Sequence, residues 1–291
     1  MPRCSFLFVI ICLLSSCKSD PSIRDRIQTI LGDQQGTFAV AFKDITTGKT
    51  VLINEREPFH AASTMKTPVM IEVFKQVSQG RFSLLDSITI KNEFRSIVDG
   101  SSYSLNPEDD SEGELYHAIG KKKTLGSMVY DMIISSSNLA TNIVIELVDA
   151  RKVTQTMRDI GARDINVLRG VEDSKAFAQG LNNTTTAFDL MVIFEKLARE
   201  EMVDEGSSKE MIDILLDQRF NSIIPAKLPD SVRVAHKTGS ITGVHHDAGI
   251  VFLPDGRRYV LVILSKGLEE EENAIEAMSE VSRIIYEGIE H

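Results

Sequence analysis

The chain has 291 residues, 42% of them hydrophobic and 25% charged, enough for one large domain or two interleaved subdomains with a sizeable core. Its formal charge of −10 argues against nucleic acid as a partner, because phosphate binding needs a concentrated basic surface. The single basic run, Lys121-Lys122-Lys123, reads as a solvated turn.

At the N-terminus, Arg3 precedes an apolar stretch, Phe6 to Leu14, that is too short to span a bilayer, so residues 1–16 read as a signal peptide. Leu14-Ser15-Ser16-Cys17 has the form of a bacterial lipobox, with cleavage before Cys17 and lipid on its thiol. This predicts an exported lipoprotein, periplasmic or at the cell surface, that meets a membrane through its lipid anchor only; an ordinary secreted protein is the alternative. Cys4, Cys12 and Cys17 are the only cysteines, so the mature domain has neither a disulfide nor a Cys-based metal site.

Residues 17–22 form a polar tether, and Ile23 to Leu31 the first helix. Phe38 to Phe42 and Thr50 to Ile53 are expected as strands of a hairpin turning at Thr46-Thr47-Gly48-Lys49. A helix beginning near Ser63 carries apolar residues through Val69, Met70, Val73 and Phe74 and ends at Gly80, with Pro68 early enough to be tolerated. Thr124 to Ile134, Asn138 to Val148, Phe188 to Leu197 and Met211 to Leu216 follow as helices, with Ser135-Ser136-Ser137 a polar junction. Strands return at Val232 to His236, Gly249 to Leu253 and Tyr259 to Ser265, with a turn at Pro254-Asp255-Gly256, and Glu269 to Glu287 closes the chain as an amphipathic helix. The order predicts an α+β fold: an antiparallel sheet flanked by helices and built from both chain ends, plus an all-helical lobe. The folded domain spans 23–291, with the sheet lobe at about 23–62 and 218–291, the helical lobe at about 63–217, and a ligand cleft between them.

Three short motifs fall around that cleft. In Ser63-Thr64-Met65-Lys66 the serine and lysine share one helix face, so Lys66 can reach the Ser63 hydroxyl, a poor nucleophile until a base takes its proton. Burial and a second cation such as Lys237 favour the neutral amine that a base requires. A serine at a helix start also has backbone N–H groups aimed at developing negative charge. Taken singly, Ser63 is an N-cap, Ser135-Ser136-Ser137-Asn138 a capping cluster and Lys237-Thr238-Gly239 a strand end. Their joint occurrence, in this order, points to a serine active site.

Together these motifs resemble the class A β-lactamases, within the superfamily that includes the penicillin-binding proteins, and the resemblance covers essentially the whole mature chain. It implies Ser63 as nucleophile with Lys66, Ser136 passing a proton to the β-lactam nitrogen, and Lys237 keeping the local potential positive for a substrate carboxylate. Asn138 would bond the substrate's side-chain amide. Lys237, Thr238 and Gly239 would border the site, and the N–H groups of Ser63 and Ser240 would form the oxyanion hole. Deacylation needs a glutamate on a loop after the helical lobe. Glu172, in Leu168-Arg169-Gly170-Val171-Glu172-Asp173, is the candidate base and Asp173 the runner-up.

Several positions depart from the family pattern. Ala176 stands where an asparagine usually helps hold the deacylating water, with Asn182 or Asn183 as substitutes. Ser137 replaces the middle aspartate of the second motif, so a hydroxyl must satisfy those hydrogen bonds. The usual carboxylate-binding arginine has no clear equivalent, its two places falling at His246 and Pro225. The resemblance implies a monomeric enzyme without metal or organic cofactor, hydrolysing a β-lactam or peptidoglycan-like small molecule, weakly or narrowly. A related serine esterase or D-peptide hydrolase, and a penicillin-binding sensor that acylates without turnover, are the alternatives.

Overall fold

The computed structural model describes residues 22–290; the expected signal peptide and the expected lipidation site Cys17 lie outside the described residues. Helix α1 (Ile23–Gly32) is started by a capping box in which Ser22 and Asp25 each accept the other's backbone N–H. Strands β1 (Thr37–Asp44) and β2 (Thr50–Ile53) form the expected hairpin. Its turn is held by Asp44 Oδ1, which accepts the N–H groups of Thr46 at 2.8 Å and Thr47 at 3.1 Å.

The helical region follows, with α2 (Lys66–Ser78), α3 (Leu125–Ile134), α4 (Asn138–Val148), α5 (Ala150–Asp159), the single turn α6 (Ser174–Ala178) and α7 (Ala187–Ala198). Then come α8 (Glu205–Leu216), strands β3 (Arg233–Ile241), β4 (Val244–Phe252) and β5 (Arg258–Lys266), and α9 (Glu271–Glu290). The five strands make one antiparallel sheet in the order β2-β1-β5-β4-β3, so the first hairpin pairs with the last strand, Ala41 facing Val262. β3 is left as an edge, its outer side open to the helical lobe.

Side-chain alternation divides the interior into two cores. Phe38, Val40 and Phe42 pack with Leu261 and Ile263 beneath α1 and α9, joined by Ile27, Met278 and Val281. Ala39 and Ala41, with Val260, Val262 and Leu264, turn to the opposite face, where Ile193 and Phe194 of α7 cover them. Each large side chain so buried stabilises the fold by roughly 1.5–3 kcal/mol. α2 runs through the centre of the helical core, with Val69, Met70, Ile71, Val73 and Phe74 all buried. Even its polar residues are internal: Glu72 accepts from Gln76 at 2.7 Å and from the Thr156 hydroxyl at 2.5 Å.

Some boundaries differ from the expectations. The helix expected near Ser63 begins as a 3-10 turn, Ala62–Met65, and becomes α-helical only at Lys66, because Ala62 sits in the left-handed region at φ 43°. β3 continues from the expected end at His236 through Lys237-Thr238-Gly239, since sheet pairing overrides the weak strand preference of those polar and small residues. α8 begins at Glu205, capped by Asp204, rather than at Met211. α5 was not expected: its four buried residues, Val153, Thr154, Thr156 and Met157, include two threonines, which hide its apolar stripe. Among the described residues, no helix is long and apolar enough to cross a membrane.

Candidate active site

Ser63 lies in the 3-10 turn, which is fixed on both sides. The Thr64 hydroxyl donates to Ala61 O at 2.5 Å, and Ala62 N–H donates to His60 Nδ1 at 3.0 Å. The edge strand β3 passes so near that a Cβ on Gly239 would lie 3.1 Å from the nitrogens of Ser63 and Thr64. Glycine at this position is therefore a requirement of close approach, and it brings Ser240 alongside the serine. Lys66, one turn on, is fully buried; its ammonium donates to Ser136 O at 2.6 Å, Asn138 Oδ1 at 2.9 Å and Ser136 Oγ at 3.2 Å. All three protons are thus engaged on the α3–α4 junction, and among the described residues no hydrogen bond joins Lys66 to Ser63. Burial lowers the Lys66 pKa to about 7, against the opposing charges of Asp110 and Glu172.

At that junction Ser136 adopts φ 56°, a left-handed backbone that turns its hydroxyl between two lysines. Lys237 Nζ donates to Ser136 Oγ at 3.0 Å and to Thr238 O at 3.0 Å. Lys237 is also fully buried, and desolvation, then the nearby Lys66 charge, holds its pKa well below the ordinary lysine value. Ser137 caps α4 by accepting Ala140 N–H at 3.2 Å. The hydroxyl does not do this work alone, however: the carboxylate of Asp110 accepts the N–H groups of Asn138 and Leu139, each at 2.9 Å. An acid from 28 residues upstream thus sits on the helix end where the motif lacks one.

Asn138 joins the two halves of the site. Its Oδ1 accepts from Lys66 and its Nδ2 donates to Glu172 Oε1 at 2.8 Å. Glu172 stands at φ 61° on a loop pinned from both ends. On one side Asn142, a turn further along α4, accepts Val171 N–H at 2.6 Å and donates to Val171 O at 3.0 Å. On the other, Asp173 accepts from the Ser96 hydroxyl and from Ile97 N–H, each at 2.9 Å, and caps α6. Asp173, the runner-up base, is buried with both carboxylate oxygens taken up in these structural bonds. Glu172 keeps much of its surface in solvent, yet desolvation on its protein side raises its pKa, the Asp110 and Asp109 charges adding to the effect and the Asn138 bond opposing it.

Of the substitutes for the missing water-holding asparagine, Asn183 is engaged at both ends of its amide and Asn182 at its oxygen. Asn183 Oδ1 accepts from Leu168 and Arg169 N–H and its Nδ2 donates to Arg169 O, while Asn182 Oδ1 takes Arg169 Nη2. Ala176 is fully buried.

Two cavities open on Ser63. One, of about 400 Å³, is bounded by Ser136, Asn138, Thr238, Ser240 and His245. The other, of about 560 Å³, runs toward Glu172, Phe177 and Ile241. His246 is fully buried against the first, with Nδ1 2.8 Å from His245 O and Nε2 2.8 Å from His60 O, and burial drops its pKa to about 4 against those two contacts. It is a neutral, fully engaged ring. His245, which the sequence did not single out, is on the cavity wall with Nε2 2.7 Å from Glu271 Oε2. Asp110 and Asn142 were likewise missed, since neither stands in a motif. Among the described residues, no group of three or more His, Cys, Asp or Glu side chains could hold a metal ion.

The family described as the beta-lactamase enzyme family matches residues 22–289. A β-lactamase of Bacteroides uniformis is 23% identical over 299 residues, covering 97% of this chain and 96% of that protein. The crystal structure of a β-lactamase from Sphaerobacter thermophilus DSM 20745 superposes with a TM-score of 0.78 at 26% identity, over 91% of this chain and 96% of that one. PBP-A, a point mutant of which has also been solved as its acyl-enzyme complex with penicillin G, reaches 0.78 at 27% identity, over 92% and 96%.

Proposed function

The chain belongs to the beta-lactamase enzyme family, and on that footing we propose that it hydrolyses β-lactams through an acyl-enzyme on Ser63, by a class A-like mechanism. The observation that carries this reading is the continuous chain of hydrogen bonds beside Ser63, Glu172 to Asn138 to Lys66 to Ser136 to Lys237. It sets Lys66, Ser136 and Lys237 as proton carriers beside the nucleophile, with the Asn138 amide a fixed bridge to Glu172. Neutral Lys66 takes the Ser63 proton as Oγ attacks the lactam carbonyl, and the N–H groups of Ser63 and Ser240 receive the oxyanion. When the C–N bond breaks, the ring nitrogen takes the Ser136 proton, which Lys66 or Lys237 replaces. Glu172 then removes a proton from water, hydroxide attacks the ester, and Ser63 leaves with a proton restored to its oxygen.

Thr238, Ser240 and the Lys237 charge serve the substrate carboxylate in this reading, and His245 rather than His246 is the imidazole placed to meet it. Export with a lipid on Cys17 completes the proposal. A Cys17→Ala variant should leave the membrane fraction, and unchanged fractionation refutes the anchor.

A second reading, acylation without turnover, is favoured by one observation: Ala176 has no amide side chain, and the Asn183 amide is spent on Leu168 and Arg169 rather than on a deacylating water. Intact-mass spectrometry of the protein with benzylpenicillin, followed together with free penicilloate, separates the two. A transient adduct with many equivalents of product supports hydrolysis. A permanent adduct supports the second reading, and neither adduct nor product overturns both and redirects attention to ester and D-peptide substrates.

A further inference from the structure

We propose that Asp110 is a positioning residue for this site: from outside the motifs, its carboxylate seats Asn138 and places a fixed negative charge beside Lys66 and Glu172. The geometry is specific. Oδ1 and Oδ2 accept Asn138 N–H at 3.0 and 2.9 Å, Oδ2 accepts Leu139 N–H at 2.9 Å and the Tyr116 hydroxyl at 3.0 Å, and Oδ1 accepts Glu112 N–H at 3.1 Å. Every partner is a donor, so the group sits there as an acceptor-only carboxylate on the positive end of α4. The residue it holds, Asn138, bridges Lys66 and Glu172 through its side chain. Asp110 therefore controls the bridge through its backbone while touching neither end.

Its charge acts on both ends in a definite direction. A nearby negative charge favours the protonated forms, and Asp110 raises the pKa of Lys66 and of Glu172 alike. The other ionisable groups around this cluster include Lys237 from β3, Asp109 beside Asp110 in the chain, Glu112 and Tyr116 from the same segment, and Tyr103, whose hydroxyl meets Val171 beside Glu172. Of the described carboxylates other than Glu172, Asp110 is the one that acts on both Lys66 and Glu172.

This inference rests on Glu172 and Lys66 acting as proposed above. In Asp110→Asn the shape is kept and the charge removed. The expected result is a turnover rate reduced roughly tenfold, as a loosened α4 end disturbs Asn138, and an acid limb of the kcat–pH profile moved roughly half a unit or more to lower pH. Asp110→Glu, which restores the charge, should move the limb back. Asp110→Ser, which retains an acceptor without the charge, should reproduce the shift if Asp110→Asn does not fold. Rate loss with an unmoved limb in the charge-removing variants overturns the proposal, since a purely structural group would do that. If the parent shows no turnover, the ¹³C carboxyl resonance of Glu172, assigned with Glu172→Gln, still titrates. Its midpoint must fall in Asp110→Asn, and an unchanged midpoint overturns the role of Asp110 independently of the proposed reaction.

Discussion

Gly170 is the position where a single methyl group should separate the two halves of the reaction. An added Cβ would lie 2.2 Å from Asn142 Oδ1 and 2.8 Å from its Cγ, whereas an ordinary contact needs about 3.2 Å or more, so something must yield by about 1 Å. Asn142 is poorly placed to yield. It is buried, and both ends of its amide are bound to Val171. If it rotates, two hydrogen bonds are lost at about 1 kcal/mol each, plus a penalty for buried groups left unpaired. If it stays, the loop moves instead, at an overpacking cost of about 1–3 kcal/mol. The cheaper route therefore destabilises Gly170→Ala by about 1–3 kcal/mol, which for a domain of this size lowers Tm by roughly 2–12 °C. Both routes also displace Glu172, two residues on, and a misplacement of about 1 Å can cost about 100-fold in rate. Deacylation should fall by that order while the acylation rate changes little, since Ser63, Lys66 and Ser136 are held by other elements. Thermal unfolding and the lifetime of the benzylpenicilloyl adduct by intact mass test both halves. A parent-like Tm and adduct lifetime would refute the claim that Asn142 clamps the loop.

Ser63→Ala should yield no penicilloyl adduct in the intact-mass experiment; an adduct of parent stoichiometry would place the nucleophile elsewhere. Glu172→Ala should accumulate acyl-enzyme, with turnover down by about 100-fold or more, and hydrolysis at the parent rate would remove Glu172 as the base. The pH dependence of acylation has a definite sign. Lys66 acts as a base only when neutral, and its pKa of about 7 means that the single-turnover acylation rate should climb as pH rises through about 7 and level off roughly two units above. A rate already flat between pH 5 and pH 9 would show that Lys66 does not take the Ser63 proton. Deacylation should follow Glu172 instead, failing on the acid side as that carboxylate is protonated, at a pH above the ordinary glutamate value because of the upward shift described above.

What the sequence alone determined was whatever local patterning encodes. The apolar runs Phe38 to Phe42 and Tyr259 to Ser265 assigned strands, and the strand–helix–strand order implied a sheet built from both ends. Spacing put Lys66 on the same helix face as Ser63, the order of Ser136-Ser137-Asn138 and Lys237-Thr238-Gly239 behind it pointed to a serine site, and the family resemblance singled out Glu172. What only the tertiary structure decided were bonds between distant residues that no period records. Asp110 reaches α4 across 28 positions, Asn142 holds Val171 across 29, and Lys237 meets Ser136 across 101. The choice between His245 and His246 also belongs there. Adjacent residues of a strand point to opposite faces, and pairing of β4 with its neighbours left His246 fully buried against the His60 and His245 carbonyls and His245 half-buried beside Glu271. The same competition explains the strand running through Lys237-Thr238-Gly239. Local propensity is worth tenths of a kcal/mol per residue, and a sheet partner already in place outweighs it.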